Sequence, residues 1–194
     1  YTVGNHTIHC YGNKSHGTQN LRQAFANSCN GAFAEIGRNL DISAFKSLAD
    51  QLLFNKELPL DFPYSKSSFS LEESDPDVLK MMTAIGQGNT LVTPIHMAML
   101  MSAITNDGVL MKPRFLERTE SYTGTLVERY PEETYGSIMT QEEAELLQLF
   151  LRTVVEDGTA SALKSSIYEA SGKTGTAEYS SDKKKSHAWF TGYA

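Results

Sequence analysis

The chain begins with short β-like alternation at Thr2, Val3, Ile8 and Tyr11, broken by Gly4 and Gly12. A turn at His16-Gly17-Thr18 follows. Residues 19–27 then place Leu21, Ala24 and Phe25 on one helical face. Residues 28–31 interrupt that pattern, and a second helix is predicted over 32–39. Asp41 or Ser43 can cap a third helix, with Phe45, Leu48, Ala49, Leu52 and Leu53 at helical spacing. Residues 55–76 are rich in Pro, Ser and acids and lack a period, so they read as a loop. A short helix over 77–85 is expected to stop at Gly86-Gln87-Gly88. Thr93 as cap and Pro94 at the first helical position start a helix over 95–105. That helix is apolar nearly all round, which predicts burial at the centre of the domain, and Gly108 ends it.

Residues 109–135 read as irregular strands. Thr140 and Glu143 form a capping box for a helix that buries Leu147, Phe150, Leu151 and Val154. Two strands, 168–179 and 186–194, close the chain around a turn at 180–185. The order predicts an α+β fold: a mainly helical lobe over about 19–155 packed beside an antiparallel sheet, with a cleft between them. No repeat or low-complexity segment interrupts it.

Composition adds boundaries. The 194 residues suffice for a real core, and 40% are hydrophobic. A net charge of −6 argues against nucleic acid as the main partner. The longest apolar run, 97–104, is too short to span a membrane. The chain lacks a starting Met and stops inside a strand pattern, so both ends read as cut from a longer domain. Cys10 and Cys29 cannot define a disulfide framework and read as small thiols.

The chemistry concentrates in two places. Lys173-Thr174-Gly175 can line an anion-binding groove: a charge, a hydroxyl, and a glycine against which a ligand can lie. An exposed edge lysine is the plain alternative, but Gly172 and Gly175 weaken an ordinary strand. Ser28-Cys29-Asn30 sits at the break between two helices, where a hydroxyl and an amide can project into a cleft. Alone, it reads as a helix cap and turn. His6, His9, Cys10 and His16 crowd together, yet positions 6 and 9 of a strand face opposite sides, so no metal site is expected there. Asp182-Lys183-Lys184-Lys185 reads as a solvated turn.

Ser-x-Asn followed by Lys-Thr-Gly resembles two of the three signatures of the penicillin-recognising serine enzymes. The surroundings resemble the D,D-transpeptidase domain of penicillin-binding proteins. These are His16-Gly17 and Phe33, Gly86-Gln87-Gly88, Thr93-Pro94, Met97-Ala98, and Asn106-Asp107-Gly108-Val109. Gly158-Thr159-Ala160, Thr176-Ala177-Glu178 and His187-Ala188-Trp189-Phe190-Thr191-Gly192-Tyr193 continue the likeness. Residues 1–194 then form part of one such domain, with the active-site strands at about 168–194.

The resemblance implies acyl transfer through a serine acyl-enzyme. Its substrates would be peptidoglycan stem peptides ending in D-Ala-D-Ala, and β-lactam antibiotics would acylate it. Lys173 would attract the terminal carboxylate, with Thr174 and Thr176 hydroxyls assisting beside Gly175. The Thr176 N–H would form half an oxyanion hole. Asn30 would hold the substrate amide, and Ser28 would relay a proton to the leaving nitrogen. No metal or organic cofactor is implied.

The family's nucleophile belongs to a Ser-x-x-Lys motif before Ser-x-Asn. The pairs Ser43/Lys46, Ser161/Lys164, Ser180/Lys183 and Ser181/Lys184 all follow Ser28, so none is assigned that role. A β-lactamase or β-lactam-sensing domain of the same fold, or a catalytically incomplete scaffold, are the alternatives. A transpeptidase would stand on the extracytoplasmic face of a bacterial membrane, anchored by an N-terminal helix outside this chain. Other cell-wall synthesis proteins would be possible partners.

Overall fold

A computed structural model describes residues 1–178 and 186–194. The expected turn at 180–185, with its lysine cluster and two Ser-x-x-Lys pairs, lies outside the described residues. Strands β1 (Thr2–Val3) and β2 (His6–Thr7) form a small hairpin. Helices α1 (Leu21–Ala26), α2 (Asn30–Asn39) and α3 (Ile42–Gln51) follow. Then come α4 (Asp77–Ala84) and α5 (Pro94–Thr105). Strands β3 (Val109–Met111), β4 (Arg118–Glu120), β5 (Leu126–Arg129) and β6 (Thr134–Ser137) precede α6 (Gln141–Asp157). Strands β7 (Ser171–Glu178) and β8 (Ser186–Tyr193) complete the order.

The fold is α+β, and its described strands pair in antiparallel twos: β1 with β2, β3 with β6, β4 with β5, and β7 with β8. The β7–β8 register runs from Ser171↔Tyr193 to Glu178↔Ser186 without a bulge. Helix α6 packs on β7 and α5 on β8, so the helical lobe holds the ribbon on two sides. Among the described residues no helix is long and apolar enough to cross a membrane.

Local chemistry explains the helix starts. Asp41 rather than Ser43 caps α3, accepting from the Ala44 N–H at 3.0 Å. Thr93 caps α5 with Pro94 at its first position, and Thr140 and Glu143 cap α6 reciprocally. Ser43 lies in the first turn of α3, and Lys46 pairs with Glu72, which gives that Ser-x-x-Lys a structural place.

The aperiodic stretch 55–76 is irregular, as expected of a loop, but it is partly buried. Leu58, Ser67, Phe69 and Leu71 are buried within it. Its backbone is satisfied from the side: the Asn55 amide donates to the Phe69 carbonyl at 2.8 Å and accepts from the Phe69 N–H at 3.0 Å. Ser68 also pairs with Leu91 as an isolated bridge. A chain without periodicity can be buried when specific side chains complete its hydrogen bonds. The central core gathers Leu53, Leu58, Met99, Ala103, Leu110, Ile138, Met139 and Ala144.

Helix α5 also buries a residue that the apolar pattern passes over. His96 is 1% exposed. Its Nε2 lies 2.7 Å from the Leu52 carbonyl, which can only accept, so Nε2 carries the proton. Nδ1 then accepts from the Ser67 hydroxyl at 2.7 Å, and Ser67 Oγ accepts from the Thr93 N–H at 3.1 Å. This network is complete with a neutral ring, and burial holds the His96 pKa below its ordinary 6.5. Above pH 6.5 both folded and unfolded states are neutral and the stability is full. As pH falls below 6.5, the unfolded chain takes up the proton first and stability is lost until the folded pKa is reached. We expect His96→Gln to remove this acid-side slope. Denaturant midpoints between about pH 5 and 7 measure it.

Candidate active site

The site begins at the end of α1. Asn20 and Gln23 cap that six-residue helix reciprocally, and it stops at Asn27. Ser28 follows in the left-handed region with φ 51°, an uncommon place for a residue with a Cβ. The Ser28 N–H donates to the Phe25 carbonyl at 3.1 Å and the Cys29 N–H to the Ala24 carbonyl at 2.9 Å. Cys29 is the N-cap residue of α2. The backbone therefore reverses over Ser28 and presents its side chain between two helices.

A clamp from α6 holds this reversal. A Cβ on Gly158 would lie 2.3 Å from the Ala26 carbonyl oxygen, so only glycine fits. The Thr159 N–H donates to that same carbonyl at 3.1 Å. The Thr159 hydroxyl meets the Thr174 hydroxyl at 2.6 Å, tying β7 to the same anchor. Gly172 is required for ribbon packing: a Cβ there would stand 2.5 Å from the Phe190 ring and 2.6 Å from the Thr191 carbonyl. At Gly175 a Cβ would meet only Trp189 Cβ, at 3.3 Å, and the residue is exposed.

Between these anchors Lys173 crosses to Ser28. Its Nζ donates to Ser28 Oγ at 3.0 Å and to the Thr174 carbonyl at 2.9 Å. The ammonium also lies 5.8 Å from the centre of the Phe25 ring. An ammonium has three hydrogens, so one remains for a ligand. Burial lowers the Lys173 pKa from its ordinary 10.5, with no charge partner contributing. A half-buried cation without a neighbouring anion among the described residues attracts one.

The outer edge of β7 supplies the next group. The Thr176 carbonyl accepts from Gln87 Nε2 at 3.1 Å, so it points away from β8. The N–H and carbonyl of one strand residue face the same edge, which puts the Thr176 N–H there too. A groove of about 460 Å³ between α5 and β8 contains none of Ser28, Asn30, Lys173 or Thr176. The chemical groups sit instead on the β7 side of the ribbon.

Of the sequence-predicted residues, Ser28 and Lys173 are in direct contact. Thr174 adjoins them through its carbonyl, while its hydroxyl is engaged by Thr159. Asn30 is held elsewhere: its amide donates to the His9 carbonyl at 2.9 Å. Phe25, Gln87 and Thr159 join the site from outside its two motifs: Gln87 and Thr159 stand in stretches that resemble the family, and Phe25 in the sequence is only a helix-face residue.

A family model described as the penicillin binding protein transpeptidase domain matches residues 1–194. The chain is 29% identical over 179 residues to Penicillin-binding protein 3 of Bacillus subtilis, covering 89% of this chain and 26% of that protein. It is 29% identical over 185 residues to the peptidoglycan D,D-transpeptidase PbpA of Mycolicibacterium smegmatis, covering 91% of this chain and 36% of that protein. It thus spans about a quarter of the first relative and just over a third of the second. Among solved structures, the D,D-transpeptidase domain of a peptidoglycan glycosyltransferase from Eggerthella lenta matches with a TM-score of 0.85 and 24% identity, over 99% of this chain and 49% of that one. Penicillin-binding protein A of Mycobacterium tuberculosis, solved as an imipenem acyl-enzyme complex, matches with a TM-score of 0.82 and 21% identity, over 98% and 43%. The fold is theirs, and with the family match over its whole length the chain belongs to the penicillin-binding protein transpeptidase domain family.

Proposed function

We propose that this chain forms the carboxylate-binding and proton-relay walls of a peptidoglycan D,D-transpeptidase. The observation that carries the reading is the 3.0 Å contact between Lys173 Nζ and Ser28 Oγ across the cleft, made by a cation with no charge partner among the described residues. The relative PbpA is named a peptidoglycan D,D-transpeptidase, and a penicillin-binding protein of this fold forms acyl-enzymes with imipenem. The attacking serine comes from residues beyond this chain.

In the proposed step, that serine attacks the carbonyl carbon of the penultimate D-Ala. The terminal carboxylate sits at Lys173, and the developing oxyanion takes the Thr176 N–H. The attacking serine's hydroxyl proton passes to the lysine of its own Ser-x-x-Lys motif and on to Ser28. Ser28 delivers its own proton to the leaving nitrogen as the C–N bond breaks, so Lys173 keeps its charge and orients the Ser28 hydroxyl through their hydrogen bond. The amine of a second stem peptide then displaces the serine and forms the cross-link. Asn30 keeps its Nδ2 bond to the His9 carbonyl and offers its Oδ1 to the substrate amide from the first turn of α2. A β-lactam undergoes the same attack, but its opened ring stays attached and the acyl-enzyme persists. The protein would work on the extracytoplasmic face of the membrane, tethered by an N-terminal helix and alongside other cell-wall synthesis proteins.

Incubating the whole protein with penicillin is expected to give one covalent adduct by intact mass, released slowly. With a stem-peptide donor and an amine acceptor it should give a cross-linked product. Rapid penicillin turnover would replace this reading with a β-lactamase. Absence of any adduct would replace it with a non-catalytic scaffold.

A further inference from the structure

One cluster in the chain takes no part in this chemistry. Cys10, His16 and Cys29 each place a ligand atom so that all three lie within 4.8 Å of one another. The two sulfurs are 3.8 Å apart. His16 Nδ1 is buried with no hydrogen-bond partner, alone among the buried side-chain nitrogens and oxygens of the described residues. A buried polar atom left unsatisfied costs about 1–3 kcal/mol unless something occupies it. We infer that these three residues bind a thiophilic divalent cation, of which zinc is the type, with a fourth position open to water or a further ligand.

The sulfur spacing favours a metal over a disulfide. Two thiolates at about 2.3 Å from a tetrahedral zinc stand about 3.8 Å apart. A disulfide needs about 2.05 Å, so the sulfurs would have to close by nearly half their separation. The surroundings suit thiolates as well. Cys29 is the N-cap residue of the ten-residue α2 and makes no side-chain capping bond, so its sulfur meets the positive end of the helix dipole. The opposite ligand is held in place too. Ile8 is buried against Ala34 and Met81, and Asn30 grips the His9 carbonyl, which fixes the backbone on both sides of His9 just before Cys10. His6 and His9, the histidines that crowd the sequence, stand outside the cluster. The ligand that completes it, Cys29, arrives from the N-cap of α2, where no local spacing points to it.

The position of the cation gives it a role. Cys29 stands between Ser28 and Asn30, so a metal held by Cys29 ties the left-handed Ser28 turn to the 10–16 segment. It acts as a positioning device that keeps both groups of Ser-x-Asn in place.

The test uses the purified whole protein and the metal alone. Zinc analysis should find one equivalent per chain attributable to this cluster, lost in Cys10→Ser and Cys29→Ser and retained in His6→Ala. Cobalt in place of zinc should give a thiolate charge-transfer absorption that vanishes in the same two variants. On the unmutated protein, which avoids any folding defect, zinc should slow alkylation of Cys10 and Cys29 at least about tenfold, and a chelator should restore it. Equal alkylation with and without zinc, or a Cys10–Cys29 disulfide in the non-reduced peptide map, would overturn the proposal. Neither outcome depends on transpeptidase activity, so this inference and the proposed function fail separately.

Discussion

Replacing Lys173 with alanine in the whole protein is expected to slow covalent acylation by penicillin at least about a hundredfold, or about 2.7 kcal/mol of barrier. Among the described residues Lys173 has no acidic partner and one ammonium hydrogen to spare for the ligand carboxylate, and charge-assisted bonds are worth about 1.5–3 kcal/mol each. It also donates to the Ser28 hydroxyl, so its loss leaves the relay group without the bond that orients it. Stability should not fall in parallel. Burial already disfavours the charged form of Lys173, and removing the ammonium ends that cost while giving up two hydrogen bonds. Lys173→Met keeps the stem over Phe25 and should unfold at an unchanged or higher midpoint, yet acylate as poorly as the alanine variant. The pH dependence carries the same signature. Because the Lys173 pKa is depressed, acylation should decline on the alkaline side below the ordinary 10.5, as the carboxylate loses its cation. Second-order acylation rates against pH, beside denaturant midpoints, check all of this. A wild-type rate in Lys173→Ala would remove Lys173 from the mechanism.

What the sequence reveals of this fold depends on how local the cause is. The starts of α5 and α6 are legible because Thr93-Pro94 and Thr140-Glu143 satisfy backbone groups within one turn. The ribbon of β7 and β8 is legible because a glycine-bearing strand precedes an aromatic one. The burial of 55–76 is not, since it rests on Asn55 reaching Phe69 and on Ser68 meeting Leu91. His96 hides for the same reason: its partners Leu52 and Ser67 lie 44 and 29 residues away, and apolar periodicity contains no information about them. At the site, Lys173 and Ser28 are each legible as candidates through resemblance, but their contact joins residues 145 apart and is a product of tertiary packing. The Gly158 clamp on Ala26 that creates the contact leaves only a glycine in the sequence.

The second large effect falls on Ser28, where two substitutions separate conformation from chemistry. Ser28→Ala removes the hydroxyl but leaves a Cβ at φ 51°, so the left-handed strain of about 1–2 kcal/mol stays. Ser28→Gly removes both. Acylation should fall in each by about a hundredfold to ten-thousandfold, the usual contribution of a positioned proton donor. Stability should diverge: the glycine variant should be about 1 kcal/mol more stable than the alanine variant, because glycine enters this region without strain. A residue serving only as a turn would predict no such loss in the glycine variant, since glycine preserves the reversal between α1 and α2 and hence the rate. The decisive result is therefore Ser28→Gly. If it folds at least as firmly as Ser28→Ala yet acylates slowly, the hydroxyl beside Lys173 has been kept at a conformational cost for its chemistry. If it acylates at the wild-type rate, proton delivery to the leaving nitrogen does not pass through Ser28.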